Sequence, residues 1–234
     1  MKIPAHAPLH LLHQVSVGAL ATHAREPHGF PYPTLLPFAV DARHRPVILV
    51  SRLAEHTRNL QGDPRAGLLI AQSGPLSGQA GQAGSRGEDA LSAARMTLLG
   101  LFEPTDADAQ SPLARRYLRY QPDAARYLEL GDFTFWVMHV ERLRYIGGFG
   151  AMGWLDGNDI DELEPLAAGD EDALIDAFEA YPARRAGLEL LGVDRYGADL
   201  TVDGLRTRFV FEEPQTDTPS LHAVLIDCIE RHAT

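Results

Sequence analysis

The chain reads as an α+β protein, an antiparallel β-barrel followed by a small α+β domain, and three observations carry that reading. Over residues 1–154, short apolar stretches of strand length follow one another with few helices between them, which favours a closed antiparallel barrel over parallel crossover units. Residues 133–145 form a long run of aromatic and branched side chains that stops at the cluster Gly147-Gly148-Phe149-Gly150. The charge also changes along the chain: residues 1–155 hold 15 Arg or Lys against 13 Asp or Glu, and residues 156–234 hold 6 against 19. A barrel domain at residues 1–154 and an acidic α+β domain at 155–234 follow.

Taken in order, residues 8–14 suit a short helix and residues 16–22 alternate as a strand. Residues 25–29 make a hairpin loop, and residues 30–40 run extended with Pro31, Pro33 and Pro37, a pattern of edge or bulged strands. A turn at 41–46 precedes the strand 47–50. The helix 54–61 ends at Gly62-Asp63-Pro64, and residues 67–72 give a fourth strand. Residues 73–93, rich in Gly, Ser, Gln and Ala, read as a long loop and a candidate lid. The strand 95–103 follows, then helices at 112–120 and 122–130, each opened by a proline, and the strand 133–145. The remainder predicts a helix at 170–181, strands at 187–193, 198–202 and 205–211 with a turn at 194–197, and a last helix opened by Thr218-Pro219.

Composition excludes several classes. Cys228 is the only cysteine, which removes disulfides, paired-thiol redox motifs and cysteine-rich zinc sites, and predicts a buried small apolar residue. Lys2 is the only lysine, which argues against a lysine Schiff base and a phosphate-loop lysine. The acidic C-terminal third repels nucleic acid. No stretch approaches the roughly 20 apolar residues of a membrane span, so the expectation is a soluble cytoplasmic protein without membrane partners.

The most informative stretch is Ser51-Arg52-Leu53-Ala54-Glu55-His56-Thr57-Arg58-Asn59-Leu60, where a strand ends and a helix begins. Ser51 and Thr57 offer hydroxyls, Arg52 and Arg58 forked donors, His56 a ring nitrogen, and the first helical turn unpaired N–H groups. A phosphorylated small-molecule cofactor or substrate fits such a turn. The plain alternative is Ser51 as a helix cap with solvated arginines.

Gly18-Ala19-Leu20-Ala21-Thr22, residues 31–39, Ser51 to Leu60 with Asp63-Pro64, Arg95 to Gly100, Gly131-Asp132-Phe133 and Gly147 to Gly150 appear in an order and spacing that resembles the pyridoxamine 5′-phosphate oxidase-like, FMN-binding split β-barrels. The resemblance is closest to their haem-utilisation, HugZ-like branch. Gly192 to Gly197 with Arg208-Phe209 look like the small α+β domain often attached to such barrels. The resemblance implies a homodimer with FMN or haem in intersubunit clefts. It also implies that Ser51, Arg52, His56 and Asn59 surround a phosphate, with Thr34 approaching the flavin ring or ribityl chain. His56 stands where relatives often place lysine, which weakens anion binding above its ordinary pKa of roughly 6.5. Residues 167–172 lack the closely spaced His and Asn that often begin the appended domain.

Three functions are compatible with the resemblance: a haem-utilisation protein that degrades haem oxidatively, an FMN-dependent oxidoreductase acting on a small molecule, and a non-enzymatic haem or flavin binder. For haem iron the candidates are His232 and His222, with Asp132 either orienting a ligating histidine or capping the turn into Phe133. His6, His10 and His13 share a helix face as a weaker metal set, whereas His139 reads as a packed core residue. The Gly147–Gly150 cluster either approaches a cofactor or turns the chain out of the barrel; Phe149 and Trp154 either cover a planar ligand or pack for stability.

Overall fold

The computed structural model describes residues 3–4, 6–72, 93–108, 110–148, 150–167 and 169–232. The expected loop at 73–93 therefore lies, except for residue 93, outside the described residues, as does Phe149. The chain divides into two compact units, Met1–Asp161 and Glu162–Thr234.

In the N-terminal unit, α1 (Ala7–Gln14) carries a proline in its first turn and lays Leu9, Leu11 and Leu12 into the core. Then come β1 (Val17–His23), β2 (Pro31–Pro37), β3 (Ala39–Val40), β4 (Pro46–Ser51), α2 (Glu55–Gly62), β5 (Arg65–Ala71) and β6 (Arg95–Pro104). After α3 (Pro112–Tyr120), a single 3-10 turn and α4 (Ala125–Leu128), the unit closes with β7 (Phe133–Ile146) and β8 (Met152–Asp156). All pairings are antiparallel, in the order β2-β1-β5-β6-β7-β4-β3. β7 is long enough to hold β4 along its first five residues and β8 along its last five.

The extended segment at 30–40 is two strands, broken at the fully buried Phe38. β2 and β3 stand at opposite ends of the sheet, yet Phe38 alone separates them in the chain, so the sheet has to curl until its ends adjoin. The ladder is interrupted there, so the barrel is split, as the resemblance implies, rather than closed, as the strand pattern alone suggests. Pro31, Pro33 and Pro37 are even numbers of residues apart, so their missing N–H groups fall on one side of β2. On that side β2 keeps only the Leu35 N–H as a donor, too little to build a further ladder, which leaves a seam.

The pleat sorts the two faces. Leu20, Leu68, Leu98 and Leu143 are successive cross-strand partners and all are fully buried, filling the inside of the curl. On the other face the partner row is Leu35, Ala19, Leu69, Thr97, Arg144 and Trp154, spanning β2 to β8. Its two ends are open: Leu35 is 58% exposed and Trp154 49%, and Arg142 and Arg144 flank the indole at 5.1 and 5.8 Å.

Three expectations are corrected. The glycine cluster does not lead the chain away but forms a hairpin turn into β8, a strand the sequence reading missed; Gly148 and Gly150 have φ of 100° and 89°, and Gly147 N–H donates to Ala151 C=O. His139 is not packed in the core. The bulge at Leu99/Gly100 shifts the alternation, and the half-exposed ring lies 3.4 Å from Glu103. His6, His10 and His13 do not share a helix face: His6 precedes α1 at φ 56°, while His13 turns into the core.

The C-terminal unit is a three-stranded antiparallel sheet of β9 (Leu188–Val193), β10 (Gly197–Val202) and β11 (Leu205–Val210), with α5 (Asp170–Glu179) and α6 (Thr218–Arg231). Asp203 and Gly204, at φ 51° and 80°, make the two-residue turn between β10 and β11. Leu174, Phe178, Leu190, Leu200, Leu221 and Leu225 meet in one core. Beside it Arg208 is fully buried, with both Nη2 bonds to Asp194 at 2.9 Å and Nη1 2.8 Å from Asp199. Burial opposes the guanidinium charge, but the two carboxylates outweigh it and hold the Arg208 pKa above its usual value.

Candidate functional site at the β4–α2 turn

β4 ends at Ser51, which pairs across the sheet with Phe133, so the turn that follows lies against Gly131-Asp132 at the start of β7. The Ser51 hydroxyl donates to Asp132 Oδ2 and accepts from Leu53 N–H at 3.0 Å. Arg52 N–H donates to Asp132 C=O at 2.9 Å, and the exposed Arg52 guanidinium reaches toward the Gly131 carbonyl at 3.5 Å. Ser51 is therefore not the cap of α2. Ala54 takes that position and supplies no side-chain acceptor, so the first-turn N–H groups lack a side-chain cap. Asp132 serves the turn: its side chain meets Ser51 rather than a histidine.

Thr34 and His56 are brought together, with Thr34 Oγ1 3.5 Å from His56 Nδ1. Partial burial lowers the His56 pKa from its ordinary value, which keeps the ring neutral at pH 7. Asn59 takes a different role from that implied by the resemblance. It is fully buried, its Nδ2 donates to Thr22 Oγ1 at 3.0 Å and its Oδ1 accepts from Arg25 N–H at 3.2 Å, so it fastens α2 to β1 and the hairpin beyond. Thr57 Oγ1 is buried without a hydrogen-bond partner. Arg58 faces solvent beside Glu55 at 3.8 Å.

The surface of this turn is mixed. Leu53 is 71% exposed and Leu130, one residue before Gly131, is 65% exposed. Nearby, Tyr127 stacks on Phe133 with centroids 5.1 Å apart, and the Arg126 guanidinium lies over the Tyr127 ring at 4.9 Å. The exposed leucines were invisible as a site signal, because single apolar residues in loops are ordinary.

In the C-terminal unit His232 ends α6. Its Nδ1–H donates to Cys228 C=O at 2.8 Å, which leaves Nε2 as the lone-pair nitrogen of the neutral ring. His222 is exposed on a shallow hollow of about 10 Å³ lined also by Leu174, Phe178 and Tyr181, far below the roughly 300–1,000 Å³ of usual ligand pockets. A buried pair missed in the sequence joins α1 to the turn before β4: His13 Nε2 lies 2.8 Å from His44 Nδ1, and His44 Nε2 lies 3.2 Å from Asp161. Their separation along the chain hides the pair from any spacing pattern. Among the described residues no helix is long and apolar enough to cross a membrane.

A family model described as CREG, beta-barrel matches residues 4–162. The chain is 29% identical over 151 residues to a non-canonical heme oxygenase, HOZ, chloroplastic, of Arabidopsis thaliana. That match takes in 64% of this chain and 42% of the relative, so the chain spans less than half of the curated relative's length. A heme binding protein from Mycobacterium smegmatis is similar over 99% of this chain and 98% of its own, with 30% identity and a TM-score of 0.57. A protein of unknown function from Agrobacterium tumefaciens shares the fold over 93% of this chain and 91% of its own, with a TM-score of 0.72 and 22% identity.

Proposed function

The chain belongs to the CREG β-barrel family, and from that premise we propose that it is a haem-utilisation split-barrel protein holding a planar cofactor, haem or FMN, at the β4–α2 turn. The observation that carries the reading is the amphipathic make-up of that turn. An exposed guanidinium and uncapped helix N–H groups sit beside the exposed side chains of Leu53 and Leu130, which suits a flat apolar ligand with an anionic arm. The names of the Arabidopsis and Mycobacterium proteins favour haem over flavin.

In this reading Arg52 binds the anionic arm, a propionate or a phosphate, and Leu53 and Leu130 exclude water from the ring edge. Thr34 and the neutral His56 bound the site without adding charge. In the C-terminal unit, taken by itself, His232 is the candidate for iron ligation, because its Nδ1–H bond to the Cys228 carbonyl fixes the tautomer and presents Nε2, as outer hydrogen bonds do for metal-bound histidines. When bound, haem supplies the oxygen chemistry of its own oxidative degradation. The same anion contacts favour FMN-dependent oxidoreduction as the second reading, on the strength of the uncapped α2 terminus. Homodimerisation is part of the proposal, supported by the open Leu35-to-Trp154 face, and so is a cytoplasmic location, supported by the single buried cysteine.

The test is an absorbance spectrum of the purified protein followed by parallel titrations with hemin and FMN. A saturable Soret band that weakens in Arg52→Ala is expected, and His232→Ala tests the iron ligand separately through the position of that band. Saturable flavin binding without a Soret band moves the assignment to the oxidoreductase reading, and failure of both titrations overturns it.

A further inference from the structure

The anion-binding turn already contains an anion. Asp132 immediately precedes β7, 81 residues away, and its carboxylate takes the only hydroxyl proton of Ser51 while its carbonyl takes the Arg52 N–H. Two of the donors that a bound phosphate needs are thus spent inside the protein. Glu55 adds a second carboxylate in the first turn of α2, where it also complements the helix N-terminus. Against these stand the uncapped N–H groups of α2, one exposed guanidinium, Arg52, and Arg58, which lies 3.8 Å from Glu55 and offsets part of its charge. His56 brings no charge at pH 7, because burial lowers its pKa.

From this arrangement we infer that Asp132 is a specificity-determining residue that makes the turn reject phosphate monoesters and accept a planar ligand bearing carboxylates. The inference rests on the proposed ligand site and names its ligand class. A phosphate monoester carries about −1.5 to −2 charge and presents three acceptor oxygens, so it needs several donors and meets repulsion from both carboxylates. A carboxylate carries a single charge on two oxygens, which the Arg52 fork satisfies alone. Removing the Asp132 charge lifts the repulsion, and withdrawing its side chain returns the Ser51 hydroxyl to the ligand.

The experiment compares the intact protein with Asp132→Asn and Asp132→Ala. Asparagine keeps an acceptor for Ser51 and removes the charge; alanine also frees the hydroxyl. FMN and riboflavin, which differ by the phosphate, are titrated by flavin fluorescence, hemin is titrated by its Soret band, and inorganic phosphate is followed by shifts of the Arg52 to His56 amides. The expected result is an FMN-to-riboflavin affinity ratio of one or below in the intact protein, rising at least about tenfold in Asp132→Asn, with phosphate shifts in the variants only. A ratio that stays unchanged in two folded variants, or intact protein that already prefers FMN tenfold, overturns the inference whether or not hemin binds. If hemin and both flavins fail to bind while the variants alone take phosphate, the role of Asp132 stands and the proposed function falls.

Discussion

Asn59→Ala separates a scaffold residue from a ligand contact. The side chain is fully buried and both ends of its amide are used, by Thr22 and by the Arg25 N–H. Truncation removes two hydrogen bonds. Thr22 Oγ1 keeps the Tyr32 carbonyl at 3.5 Å, and Arg25 is an exposed residue whose N–H can turn to water, so neither loss carries the full penalty of a buried orphan. One bond at about 1 kcal/mol, a partly rescued one below that, and a small void together give about 2 kcal/mol. Both tryptophans, Trp136 and Trp154, lie in the N-terminal unit, so their fluorescence follows the unfolding of the unit that holds Asn59. With a urea dependence of about 2 kcal/mol/M, the midpoint should fall by about 1 M. A midpoint shift under about 0.25 M, combined with a tenfold or greater loss of hemin or FMN affinity, would refute the scaffold role.

Further tests reach both units. Arg208→Met removes the buried cation that pairs with the Asp194 and Asp199 carboxylates and should cost about 3–5 kcal/mol, seen as early loss of far-ultraviolet ellipticity ahead of the tryptophan transition; coincident transitions unchanged from the parent would contradict it. Thr57→Val removes a buried hydroxyl that has no partner and should raise the urea midpoint by the equivalent of about 1 kcal/mol, whereas a loss would mean that the hydroxyl is satisfied in solution. His56 is neutral in both states above pH 6.5, but just below it the unfolded chain takes up the proton first, so the folded state loses stability as pH falls; His56→Asn should flatten the decline in Tm between pH 7 and 5, and an unchanged slope would count against it. The Cys228 thiol, pushed up to about 12 by burial, should resist a maleimide at pH 8 until the protein is denatured, and rapid labelling of folded protein would overturn that environment.

Much of the fold was legible because its signals are local. The alternation of β1, the prolines of β2, the aromatic run of β7 and the Pro219 opening of α6 each declare an element within a few residues. β8 escaped because five residues beginning Met152-Gly153-Trp154 follow a glycine cluster that reads equally as an exit, and only pairing with β7 decides between the two. At the site, Ser51, Arg52 and His56 announced themselves as a strand-to-helix turn rich in donors. What consumes those donors did not, since Asp132 reaches Ser51 only through the β4–β7 register. Asn59 shows the same limit: its residue type suits a ligand or a core hydrogen bond, and burial settles which.

The seam between β2 and β3 sets a timetable for the site. β4 has no lasting place until β7 arrives, because its other neighbour is the two-residue β3. The chain must close a loop of 81 residues before Ser51 can meet Asp132, and contacts of such sequence separation form slowly and late. On the ribosome the turn has no partner until the start of β7 has emerged, and a partly folded chain cannot display a finished ligand site. The finished geometry of that turn therefore certifies that the longest-range pairing of the sheet is complete, and under the proposed function only a fully paired sheet presents it to a ligand.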